Sequence, residues 1–209
     1  MIGGGNGSRI LRKNMVTKND IDGKRRLPSE ELRARTQLLS LREQLEHNHF
    51  LLERLYAASA GIMQAVEDGD VHVAIGEIVS NLIGSEEAAI FHYRKAARRF
   101  LNAWSVGISD EQLRQLSDGT SMMWRTVGEG VTQFRDRQNE LQLQSCEQNL
   151  TASVVLKSGH EIVGVLLVFG LLPQKNGLEW VDHQLFKFLE TYGAVAIQLQ
   201  LLRKNAAAL

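Results

Sequence analysis

Eleven apolar residues stand in a row from Ile162 to Leu172, IVGVLLVFGLL, and Pro173 follows them. A helix that crosses a bilayer needs about 20 such residues, so this run is too short to be a membrane span. Gly164 and Gly170 inside it also weigh against a helix. Read as a strand, it is apolar at both parities, with Ile162, Gly164, Leu166 and Val168 on one side and Val163, Val165, Leu167 and Phe169 on the other. Such a strand must be covered front and back. Thr151 to Lys157 (TASVVLK) reads as its partner, and Ser158-Gly159-His160 as the tight loop between them. An antiparallel sheet between two layers of helix or long loop follows.

The rest of the chain supplies those layers. A serine cap at Ser29 followed by Glu30 and Glu31 opens a long helix. Leu38, Leu41, Leu45, Asn48, Leu52, Leu55, Ser59, Ile62 and Val66 recur along it in alternating steps of three and four, the period of a coiled coil. Asn48 at a core position of that seam would fix register against a symmetry mate. From Leu55 onward the stripe is expected to pack on its own domain. After Glu67-Asp68-Gly69-Asp70, helical spacing resumes from Val71 to Ile83, up to Gly84. Glu87 to Tyr93 and Phe100 to Val106 read as a strand hairpin joined by a charged turn. Short helices from Ser109 and from Ser121 to Val127 follow, the second ended by Gly128, then a short strand from Val131 to Phe134 and a polar, partly helical segment over 138–150. The chain closes in a helix from about Leu178 to Asn205. One of its stripes (Leu185, Phe188, Tyr192, Val195, Leu199, Leu202) and another (Phe186, Leu189, Gly193, Ala196, Ile197) leave one face for the sheet and one for a further helix.

Of the 209 residues, 24 are basic and 24 acidic, but the balance is uneven. Residues 1–26 carry a net +5 and the remainder a net −5. Residues 1–27, rich in Gly, Asn, Lys and Arg, read as a flexible basic arm with too little apolar surface to offset ordering. It has no interleaved aromatics and no nucleic-acid recognition motif. The one cysteine, Cys146, excludes an internal disulfide and points to a reducing, cytoplasmic setting, and there is no Cys/His cluster spaced for zinc. The start of the chain lacks the apolar core of a secretory signal. His47 and His49, two apart on a helix, point away from each other and cannot share a metal. His92 lies between Phe91 and Tyr93 in a strand, and His160 sits in the hairpin loop.

The order helix, helix, hairpin, short helices, polar loop, hairpin, amphipathic terminal helix resembles the GAF domain family over roughly Tyr56 to Arg203. The resemblance rests on Ile78 to Phe91 (IVSNLIGSEEAAIF), Gly119 to Asp136 (GTSMMWRTVGEGVTQFRD), Ala152 to Phe169 (ASVVLKSGHEIVGVLLVF) and Asp182 to Gln198 (DHQLFKFLETYGAVAIQ). It implies an α+β fold, GAF-like and PAS-related, with an antiparallel six-stranded sheet and helices on both sides, preceded by a long coiled-coil helix. The expected division is a basic arm over 1–27, a dimerisation helix over 28–55 and a GAF domain over 56–205. The family's layout would set Trp104, Trp124, Phe134, Asp136 and Ser153 around the open face of the sheet as a ligand pocket, with the ligand or cofactor unknown.

Bilin-attaching relatives carry a Cys-His pair where this chain has Cys146-Glu147, and thiol-exchanging relatives use several cysteines. The pattern of cyclic-nucleotide binders is present only as the reversed pair Lys175-Asn176 and as Asp182-His183. No nucleophile with a base and an orienter stands out. The expectation is a non-enzymatic sensory or signalling module. It would be a homodimer through Leu38, Leu41, Leu45, Asn48, Leu52 and the terminal helix, working with a protein partner, without a membrane span and without nucleic acid. The alternative is an interaction adaptor with a degenerate, empty pocket, acting through its coiled coil.

Overall fold

The computed structural model describes residues 29–117, 121–135 and 143–207. The expected basic arm and Asp136 lie outside them. The chain divides into two compact units, Met1–Glu46 and His47–Leu209. In the first, the described residues belong to helix α1 (Ser29–Asp68), and the side chains from Glu31 to Glu46 are exposed, Leu38, Leu41 and Leu45 among them.

In the second unit, Leu55, Ile62 and Val66 of the heptad stripe pack inward as expected, while Ser59 stays exposed. Ala58, Ile62 and Ala65 are buried and Leu51, Leu55 and Val66 pack beside them, whereas Leu52, Tyr56 and Met63 stay exposed. Gly69 ends α1 in the left-handed region (φ +87), and the N–H groups of Gly69 and Asp70 both return to the Ala65 carbonyl. Helix α2 (Val71–Ile78) runs straight into a π-turn, Val79–Ile83, closed by Gly84.

Five strands form one sheet among the described residues: β1 (Ala88–Arg94), β2 (Arg99–Val106), β3 (Gln133–Phe134), β4 (Ala152–Ser158) and β5 (Glu161–Val168), in the order β2-β1-β5-β4-β3. Every pairing is antiparallel. The sequence expectation of six strands is corrected to five, and the 145–147 segment is a short 3-10 turn. The run that opened the sequence reading is β5, the central strand, and Gly164 to Val168 are buried at both parities as expected. Gly164 sits between His92 and Leu156, where a methyl group would press into the Phe91 carbonyl.

Two apolar layers clothe the sheet. On one face Ile90, Val154, Leu156 and Leu166 meet α1, α2 and the terminal helix, which consists of α5 (Trp180–Phe188), a π-turn (Leu189–Gly193) and α6 (Ala194–Ala207). On the other, Phe91, Val165, Leu167 and Phe169 meet α3 (Asp110–Leu116), α4 (Met122–Glu129) and the segment around Leu150. Ser109 caps α3 by accepting from the Gln112 N–H at 3.3 Å. Helix α4 runs through Gly128 and ends at Gly130, which takes the left-handed conformation.

Candidate functional site

The face of the sheet opposite the long helices was the expected pocket. Its residues fill it. Phe91, Leu116, Met122, Met123, Leu150 and Phe169 are fully buried there. Four aromatic rings interlock: Phe100 meets Trp124 edge-on at 4.7 Å and Phe91 at 6.4 Å, while Tyr93 lies 5.1 Å from Phe100 and 6.3 Å from Trp124. The Trp124 indole N–H donates to the Ser117 carbonyl at 3.2 Å, which fixes the ring. The Thr126 and Ser153 hydroxyls share a hydrogen bond of 2.7 Å that ties α4 to β4.

Glu147 explains why α4 lies so close. Its carboxylate is fully buried and accepts the backbone N–H of Met122, at the start of α4, and that of Gln144. A carboxylate at a helix N-terminus is favoured by the helix dipole and by the orphan N–H groups there. Beside it, Cys146 is buried on the rim of a polar cleft of about 360 Å³ that Ser109, Gln112 and Asn149 also line.

The structure divides the residues expected to share a pocket. Trp124 and Ser153 lie on this filled face. Trp104 and Phe134 lie on the helical side, Trp104 against Gly76 of α2 and Phe134 between His183 (4.5 Å) and Phe186 (5.6 Å). The cause for Trp104 is a bulge. Register along the β1–β2 pair slips between Ile90 and Phe91, so Trp104 pairs with Ile90 while Asn102 pairs with Phe91. The extra residue, Ala103, sends Phe100 and Trp104, which share parity, to opposite faces. Phe134 pairs with Ala152, whose side chain also faces the helices.

Lys175 and Asp182, weighed in the sequence as part of a nucleotide pattern, are joined in a tie of 2.8 Å. Asp182 is buried, caps α5 through the Glu179 N–H, and Lys175 also donates to the Ile83 carbonyl. Both side chains are thus engaged in holding α5 to the end of the α2 π-turn.

The helical face offers a different kind of site. An apolar groove of about 310 Å³ runs between α1 and the terminal helix, lined by Ile62, Met63, Phe188, Tyr192, Val195 and Leu199 among others. Its banks are apolar yet open to water: Met63 is 66% exposed, Tyr192 60% and Leu202 58%. Phe188 and Tyr192 stack at 5.0 Å. The stripe Phe186, Leu189, Ala196 and Ile197 packs on the sheet, which leaves Tyr192, Val195, Leu199 and Leu202 facing outward. The sequence groups Tyr192, Val195, Leu199 and Leu202 on one stripe without deciding which stripe meets the sheet, and does not single out Tyr56 or Met63. They stand beside the heptad seam, and the packing of Leu51, Ala58, Ile62 and Ala65 on the domain leaves them on the outer face of α1.

Among the described residues no three His, Cys, Asp or Glu side chains converge as a metal site, and no helix is long and apolar enough to cross a membrane. The architecture is thus an α+β module whose sheet is sealed by its own side chains on one face and whose helices carry the open apolar surface. No family model and no curated protein matches the sequence. Solved structures do match. The GAF domain of an Acinetobacter phosphoenolpyruvate-protein phosphotransferase superposes with a TM-score of 0.56 at 14% identity, covering 77% of this chain and 98% of that one. A GAF domain/HD domain protein from Geobacter sulfurreducens gives 0.53 at 12%, covering 68% and 98%. The GAF domain of a putative sensor histidine kinase from Pseudomonas syringae pv. tomato gives 0.50 at 14%, covering 80% and 98%. The fold of this chain is the GAF fold.

Proposed function

We propose that this chain is a non-enzymatic GAF-fold signalling module of a reducing, cytoplasmic compartment that acts by association along its helical face, pairing first with a second copy of itself. One observation carries the reading: an apolar groove between α1 and the terminal helix, lined by exposed Met63, Tyr192, Val195 and Leu199, on helices that also expose Tyr56 and Leu202. Burying one such side chain contributes roughly 1.5–3 kcal/mol. The heptad spacing of Leu38, Leu41, Leu45, Asn48 and Leu52 favours a second copy as the occupant, because a like helix supplies the same spacing. On this reading residues 28–55 serve dimerisation and residues 56–205 form the GAF domain.

The filled opposite face supports association over small-molecule capture, since ligand sites are concave and largely preformed. Trp124, with Ser153 behind it, would have to move before a ligand could enter. Sedimentation of the wild type against the double variant Met63→Asp/Leu199→Asp tests the reading. Both positions are exposed, so the folded unit should tolerate charge there. The expected result is a dimer at micromolar concentration for the wild type and a monomer for the variant. A wild type that is monomeric, or a variant that stays dimeric, overturns it.

A further inference from the structure

Two histidines far apart in sequence meet where α2, β1 and α6 come together. His72 is the second residue of α2 and His92 lies on β1, on the side of the sheet that faces the helices. Their Nε2 atoms are 2.8 Å apart and the ring planes are tilted by 44°. Among the described residues this is the one hydrogen bond either ring makes, so one Nε2 donates its proton and the other offers its lone pair. Among the described residues no carboxylate pairs with either ring. The charged side chains that face them are cations: burial and then Lys204 of α6 lower His72 below the ordinary histidine value, and burial, His72, Arg94 of β1 and Lys204 lower His92 to about 4. Both rings are therefore neutral near pH 7, the form that binds metals. Each is only half-buried, which leaves a solvent-side approach.

We propose that His72 and His92 form a binding site for one divalent transition cation of the zinc, nickel or copper class, held through the two Nε2 atoms and completed by water. Nitrogen ligands of a tetrahedral cation at 2.0–2.1 Å stand about 3.3 Å apart. The pair needs to open by about half an ångström, and the donating ring must exchange to its Nδ1–H tautomer, so that both Nε2 lone pairs are free to turn toward the ion. Two imidazoles without a carboxylate select borderline metals over calcium or magnesium. Water in the remaining positions makes the ion exchangeable, as a sensory site requires.

The surroundings couple this site to the outward-facing helix. Gln200 of α6 donates to the Gly69 carbonyl and Arg203 to that of Val66, which binds α6 to the last turn of α1 and to the loop just before His72. Lys204 lies one turn beyond Gln200. A bound cation repels it, so occupancy acts on the end of the helix that presents Leu199 and Leu202. The site itself stands whether or not the helical face pairs.

Calorimetric titration of the full chain, stripped with a chelator and dialysed, with nickel chloride and separately with zinc chloride tests the proposal. One saturable site per chain is expected. His72→Ala and His92→Ala should each weaken it by at least about tenfold, and His47→Ala/His49→Ala should leave it unchanged. Lys204→Met should tighten it by about two- to threefold, because the lysine is exposed and its repulsion screened. No saturable binding, or binding that survives loss of His72 or His92, overturns the proposal, and a Lys204→Met variant that binds no tighter overturns the coupling to α6. Should His92→Ala fail to fold, imidazole nitrogen spectra of the wild type decide: zinc must shift the Nε2 signals of both His72 and His92, and unshifted signals refute the site.

Discussion

Two glycines make a paired test of how tightly this fold is built. At Gly164 on β5, a Cβ would intrude well inside 3.0 Å on the Phe91 carbonyl oxygen and lie 3.2 Å from its carbon. The obstacle is the main chain of the neighbouring strand, so relief requires β1 and β5 to part, with loss of ladder hydrogen bonds at the centre of the sheet. At Gly76 on α2, a Cβ would intrude as closely on the Trp104 ring, 3.1 Å from its Cζ3 and nearer to two other atoms. That obstacle is the end of a half-buried side chain, which can swing. Overpacking a core costs about 1–3 kcal/mol, and a main-chain obstacle takes the upper end. The conformational gain of Ala over Gly in a strand returns about 0.5–1 kcal/mol. Gly164→Ala should therefore lose about 2 kcal/mol, a fall in Tm of roughly 4–8 °C for a domain of this size. Gly76→Ala gains about 1 kcal/mol of helix propensity, which offsets the displacement of Trp104. Its stability should stay within about 1 kcal/mol of the wild type while its tryptophan emission changes. Thermal and urea unfolding followed by circular dichroism give both numbers. A Gly164→Ala protein as stable as the wild type would refute the close approach of β5 to β1, and a Gly76→Ala protein that loses more than about 1 kcal/mol would refute the yielding of the Trp104 ring.

Glu147→Ala orphans the backbone N–H groups of Met122 and Gln144, and should cost about 3 kcal/mol and expose Trp124, seen as red-shifted emission; unchanged stability would show that the carboxylate does not hold α4. Glu147→Gln keeps one acceptor and should lose about half as much. The His72–His92 pair sets an acid dependence in metal-free protein. Both rings bind a proton more weakly folded than unfolded, so their contribution is fully present above the ordinary value of 6.5 and is lost as pH falls toward about 4. Tm measured in the presence of a chelator should drop over that window in the wild type and more shallowly in His92→Phe; parallel curves for the two would contradict the pairing.

Local periodicity made most of this fold legible. The both-sided apolarity of Val163 to Phe169 announced a central strand, and the terminal helix showed two apolar stripes, one for the sheet and one for a further helix, because each pattern is set within a few residues of chain. Register between distant segments leaves no such trace. One inserted residue, Ala103, reverses the faces of the strand on either side of it, so Trp104 could not be assigned a layer from its own neighbours. Glu147 read as a departure from a family pair, and its partner Met122 lies 25 residues away. His72 and His92 carried no signal of each other for the same reason, one being in a helix and the other in a strand.

The π-turn at Leu189–Gly193 has a further consequence. It holds one residue more than an α-helical turn, and one residue turns the helix beyond it by about 100°. Which side chains of α6 greet the solvent is thus written in phase and not in composition. Closing the same residues into regular α-helical turns would keep every apolar group of α6 in the sequence, yet turn its faces by about 100° relative to the sheet. The outward surface of this protein can be re-addressed without changing one letter of it.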